Sequence, residues 1–134
     1  MPRSASRVRA ATFAPGATVP KTDVDGNAKY DALSDGLLIL RYMFGLTGPA
    51  LIANATDPNG TRTLAPDIVQ HLTNIKPQLD VDGNGQADAL TDGLMLIRYM
   101  FGLRGAALLN GAIGPGATRT TIVQVETYIV SILN

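Results

Sequence analysis

At 134 residues the chain holds material for one compact domain or two very small ones. Lysine plus arginine and aspartate plus glutamate number 11 each, and this zero balance argues against a nucleic-acid footprint, which needs a basic excess on one face. The absence of cysteine removes disulfides, thiolate nucleophiles and Cys-based zinc sites, and a single histidine excludes a two-histidine centre.

Along the chain, residues 1–22 carry Arg3, Arg7 and Arg9, with Pro15, Gly16 and Pro20 breaking any apolar run, so they are expected to be a flexible lead-in or linker. The remainder is a duplication. Residues 23–52 and 80–109 are identical at 20 of 30 positions with an offset of 57, giving units 23–79 and 80–134. Weaker matches continue through Thr61-Arg62-Thr63 with Thr118-Arg119-Thr120, and through Ile68, Leu72 and Ile75 with Val125, Ile129 and Ile132. Each unit reads as loop, helix, loop, helix. Leu33, Leu37, Leu40 and Phe44, with Leu90, Leu94, Ile97 and Phe101, fall at helical spacing and predict a central, mostly apolar helix that ends at Gly45 or Gly102. Short helical turns are expected around Ala50–Ile52 and Ala106–Leu109, then second helices over roughly 64–76 and 121–133, the first stopped by Pro77. Arg41 and Arg98 interrupt the two stretches that come nearest to a membrane span. The expected class is all-α, two tandem loop–helix–helix units packed with approximate twofold symmetry.

The acids are distributed unevenly. Ten of the eleven are aspartate, and eight of those lie in two short segments. In the second unit Asp80, Asp82 and Asn84 place side-chain oxygens at alternate positions, and Gly85 permits a sharp turn. Gln86 can offer its carbonyl, Asp88 follows, and Asp92 stands where the central helix begins. Such carboxylates repel strongly without a counter-ion, and an all-oxygen donor set favours calcium over zinc or copper, with magnesium less suited. The same residues also suit an Asx-rich turn in which Asp88 or Thr91 caps the helix and Asp92 meets its dipole. Repetition of the acids at one spacing, each time before the same helix, favours two calcium ions.

Residues 23–134 resemble a type I dockerin, a duplicated pair of half EF-hands that joins secreted polysaccharide-degrading enzymes to a cohesin partner. The resemblance implies that the first ion is held by Asp23, Asp25, Asn27, the Lys29 carbonyl, Asp31 and Asp35. The second would be held by Asp80, Asp82, Asn84, the Gln86 carbonyl, Asp88 and Asp92. The sequence departs from the pattern in three places. The closing acid stands at position 13 rather than 12, where Ser34 and Thr91 fall. Ala28 replaces the glycine of the twin loop, which predicts a weaker first site. Positions 10 and 11, polar in dockerins, are Ala32-Leu33 and Ala89-Leu90.

The implied function is a calcium-binding protein-interaction module, folded by two ions, that attaches an exported protein to a cohesin-like or other exported partner. Its implied place is extracellular or at the cell surface, within a longer protein. The alternative is a purely structural, calcium-stiffened spacer or terminal cap without a specific partner. No nucleic acid, membrane span or small-molecule substrate is expected. Nor is an enzyme, because no nucleophile–base pair is present and His71 aligns with Tyr128. Arg41, Tyr42 and Thr47, with Arg98, Tyr99 and Arg104, are candidate surface contributors, unless the tyrosines pack and the arginines snorkel.

Overall fold

The structure is a computed structural model that describes residues 22–133, so the lead-in lies outside the described residues apart from Thr22. Thr22 is buried, and its hydroxyl donates to the Ile132 carbonyl. Among the described residues the regular structure is helical, with no strand, as the all-α expectation requires. No helix there is long and apolar enough to cross a membrane.

In each unit the helix behind the aspartate loop starts with one π turn, Ala32–Gly36 or Ala89–Gly93, and continues as α1 (Leu37–Met43) or α4 (Leu94–Met100). The π turn is closed by five-residue bonds, Gly36 N–H to Asp31 O and Gly93 N–H to Asp88 O, both 3.0 Å. A π turn takes up one extra residue, which rotates everything before it by about 100° relative to a continuous α-helix. This overturns part of the expected core stripe. Leu33 and Leu90, within the turns, are 65% and 64% exposed; Phe44 and Phe101, beyond them at the C-terminal ends of α1 and α4, are also 57% exposed. The buried face instead carries Leu38 and Ile39, matched by Met95 and Leu96.

Gly45 and Gly102 end these helices with φ of +95° and +98°, as their position suggested. The short helices α2 (Pro49–Ile52) and α5 (Ala106–Leu109) follow. Arg41 and Arg98 reach across to their C-terminal carbonyls: Arg41 donates to Leu51 and Ala53 at 3.0 and 2.7 Å, Arg98 to Leu108 and Asn110 at 3.1 and 2.8 Å. These arginines tie each unit together from inside. Tyr42 bonds the Thr73 hydroxyl at 2.9 Å, whereas Tyr99 lies under the Arg104 guanidinium at 3.4 Å.

The second helices are α3 (Ala65–Ile75) and α6 (Ile122–Leu133). Pro77 does not stop the chain outright, because a 3-10 turn over Lys76–Leu79 carries it on to bury Leu79. Ile68, Leu72 and Ile75 face the core, as do Val125, Ile129 and Leu133. One continuous apolar cluster takes residues from both units.

The units meet through their π turns. Gly36 lies against Ile97 and Met100 of α4, where a Cβ would come within 3.0 Å of the Ile97 Cγ1. Reciprocally, Gly93 lies against Leu40 and Met43 of α1, where a Cβ would come within 2.9 Å of the Met43 sulfur. A β-branched side chain here must displace the facing side chains (Ile97 and Met100, or Leu40 and Met43), and overpacking of this kind costs about 1–3 kcal/mol. Gly93→Val is therefore expected to lower stability by about that amount in a urea titration. An unchanged midpoint would contradict the close helix contact.

Candidate metal centre

Each loop is anchored by an apolar plug between two acids. Val24 and Val81 are fully buried, so the flanking carboxylates are drawn inward with them. The loop is then braced from behind by the Thr-Arg-Thr segment of its own unit. The Arg62 backbone N–H donates to Asp25 O at 2.8 Å, and its guanidinium donates to the Val24 and Asp23 carbonyls at 2.7 Å each. Arg119 repeats this with Asp82 O at 2.8 Å, Val81 O at 2.7 Å and Asp80 O at 2.6 Å, and its guanidinium stacks 3.8 Å from the Tyr128 ring. The repeat of Thr-Arg-Thr was visible in the sequence, but nothing in its spacing revealed that it folds back on the loop.

Three carboxylates converge in each unit: Asp23, Asp25 and Asp35 in the first, Asp80, Asp82 and Asp92 in the second. In each group one oxygen per residue lies within 4.8 Å of the others. A cation with ligands at about 2.4 Å has opposite ligands about 4.8 Å apart, so each group can surround one ion. All but Asp80 are buried. The closing acids reach this position because the π turn absorbs the thirteenth residue. Asp35 accepts from Val24 N–H at 2.7 Å and Asp31 N–H at 2.8 Å, and Asp92 accepts from Asp82 N–H at 3.0 Å and Asp88 N–H at 2.8 Å.

The remaining expected ligands have other surroundings. Asn27 and Asn84 accept from the Lys29 and Gln86 amides, both at 3.0 Å, in tight Asx turns; Lys29 and Gln86 are exposed. Asp31 is exposed and Asp88 half-buried, and neither belongs to its three-carboxylate group. Neither makes a side-chain cap either, which removes the plain reading of Asp88 as an N-cap. Ala28 takes a φ of +69° where Gly85 takes +91°, a left-handed conformation that costs an alanine on the order of 1 kcal/mol. One residue that the sequence reading passed over also stands at the first site. Asp57 donates its N–H to Asp25 at 2.9 Å and accepts from the Asn27 side-chain amide at 2.9 Å. Its counterpart is Gly114, whose N–H meets Asp82 at 2.7 Å.

The donor inventory shows what these groups lack. Asp23 is served by the Asn27 and Ala28 amides, and Asp80 by Gly83, Asn84 and Gly85. Asp25 Oδ1, on a fully buried residue, has no hydrogen-bond partner, and neither has the buried Ser34 hydroxyl beside Asp35. An ionised oxygen in that position is costly unless something positive meets it. A cation between the three carboxylates would supply what the polypeptide does not.

Burial, reinforced by the negative charges of Asp25 and Asp23, pushes Asp35 up to about 8. Burial likewise raises Asp23 and Asp92 to about 6 and raises Asp25. Asp57 is held below its ordinary value, chiefly by the Asn27 amide. A carboxylate with a raised folded pKa binds its proton more tightly folded than unfolded. Without metal, its contribution is therefore complete below the unfolded value of 3.8 and is lost as pH rises through 6 to 8. With metal the direction reverses, because protons compete with the cation for the same oxygens. In excess chelator the melting temperature is expected to fall from pH 5 to pH 8, and in saturating calcium to rise. A metal-free chain that grew more stable across that interval would contradict the clustering. In comparisons with protein-family models, curated proteins and solved structures, this chain matches none.

Proposed function

We propose that the chain is a calcium-binding interaction module of dockerin type, folded and stabilised by two calcium ions, which attaches an exported protein to a partner. The observation that carries the metal half is the pair of inward-facing aspartate triads, one with a fully buried oxygen that no protein donor meets. Calcium suits them best. The donors are all oxygen, and irregular loops adapt to its flexible, high coordination number better than to the rigid octahedron of magnesium. Asn27 and Asn84, the carbonyls of Lys29 and Gln86, and Asp31 and Asp88, directly or through water, would complete the two shells.

Two features support the binding half. The reciprocal seating of Gly36 on α4 and Gly93 on α1 fits an approximately twofold pair of loop–helix–helix units. That pairing repeats the same exposed apolar side chains in both units: Leu33 with Leu90, Phe44 with Phe101, Leu46 with Leu103. A spacer needs no such side chains on its surface, and this favours a partner over the purely structural reading. The alanine–leucine pairs at loop positions 10 and 11 make the expected contact surface apolar where dockerins are polar. A cohesin-like partner would accordingly offer an apolar face. Catalysis has no place in this reading, and the module acts outside the cell as one part of a longer protein.

Chelation tests the metal half. At pH 8 far-UV circular dichroism should lose most of its helical signal in excess chelator and regain it with calcium, because binding free energy is here folding free energy. A spectrum and melting curve indifferent to chelator would overturn it. For the binding half, the immobilised chain should retain a saturable partner from the secreted fraction of its source in calcium and release it on chelation. Retention of nothing by a calcium-loaded, folded chain would favour the spacer.

A further inference from the structure

We propose that Asp57 serves the first metal site from its rim, outside the three converging carboxylates, and makes it the tighter of the two, reversing the order that the strained Ala28 alone predicts. The inference rests on the calcium reading and assigns an order of affinity within it. The two sites share the same ladder of aspartates and differ at Ala28 against Gly85, at Lys29 against Gln86, and on this flank. In both, a backbone N–H from the connector meets the position-3 aspartate: Asp57 to Asp25 in the first unit, Gly114 to Asp82 in the second. Only the first unit carries a side chain there. In the second a Cβ would come within 2.9 Å of both the Asn84 amide nitrogen and Asp82 Oδ2, so position 114 directly abuts the ligand groups. The connector therefore delivers an extra negative charge to the edge of the first site, the same site where Asp25 Oδ1 is buried without a partner.

Asp57 acts in two ways. Its carboxylate holds the Asn27 side-chain amide at 2.9 Å and so fixes the position-5 ligand before the ion arrives, whereas Asn84 has only the Pro115 carbonyl at 3.4 Å. Its charge also adds to those of Asp23, Asp25 and Asp35, and the number of ligand charges is a main determinant of calcium affinity in such loops. Lys29, a glutamine in the second loop, opposes this charge, and water screens both, so the fixed Asn27 carries the larger part of the effect. The expected net effect is a first site about tenfold tighter than the second, from a ligand fixed in advance together with a charge at the rim.

The test strips the calcium-loaded full chain with increasing chelator and follows the backbone amides of Asn27 and Ala28 against those of Asn84 and Gly85 by NMR. In the unmodified chain the second loop should empty first. Asp57→Asn, which keeps the backbone donor to Asp25, should cost the first site about tenfold and leave the second within about twofold. Asp57→Gly, which copies the second unit, should do the same, so the conclusion does not hang on one variant folding well. First-loop amides that release calcium before or together with the second loop in the unmodified chain would overturn the proposal. So would an order indifferent to both substitutions. If neither loop's amides respond to calcium, the calcium reading itself fails and this assignment falls with it.

Discussion

Five carboxylates are removed from water in a chain of 134 residues, and every other feature of the fold has to accommodate them. Moving an ionised carboxylate out of water costs several kcal/mol even after relaxation, and a domain of this size has only about 5–15 kcal/mol of stability in total. Backbone amides offset part of that cost, and Arg62 lends some positive potential from behind Asp23. Neither reaches Asp25 Oδ1. A fold that depends on buried charges of one sign is conditional on a counter-charge, and here the counter-charge is a cation or a proton.

The helices are arranged to impose that condition. Val24 and Val81 lock each loop into the apolar cluster, so the aspartates beside them cannot swing into solvent without unpacking the core. The π turns place Asp35 and Asp92 over the loops and leave Gly36 and Gly93 one residue later, pressed on the opposite unit's helix. The acid that closes a site is thus adjacent in the chain to the contact that joins the units. Disorder at a site is transmitted directly to the helix packing, and neither unit buries its apolar face without the other.

The duplication, the helical class and the aspartates that converge were legible in the sequence because each is a pattern in residue type and spacing. The existence and bounds of α3 and α6 followed from single apolar stripes of ordinary period. The exposure of Leu33 was not legible. Its spacing fits a continuous α-helix, and the π turn that breaks the phase is set by the thirteenth loop residue together with the reach of Asp35 to the Asp31 amide. The extra residue was visible, but its conformational consequence was not. Arg41 and Arg98 looked like surface groups because the carbonyls they bind belong to α2 and α5, ten and twelve residues away. Asp57 escaped notice for a related reason. It lies 32 residues from Asp25, and its counterpart is a glycine, so the repeat hid it where it exposed the other acids.

The central claim is that two cations are structural parts of this fold, held by the two aspartate triads. Calorimetric titration of the metal-stripped chain with calcium tests it most directly. Two ions per chain are predicted, with binding abolished when Asp23→Ala and Asp80→Ala are combined. A stoichiometry below two, or calcium binding that survives the double substitution, would contradict the account.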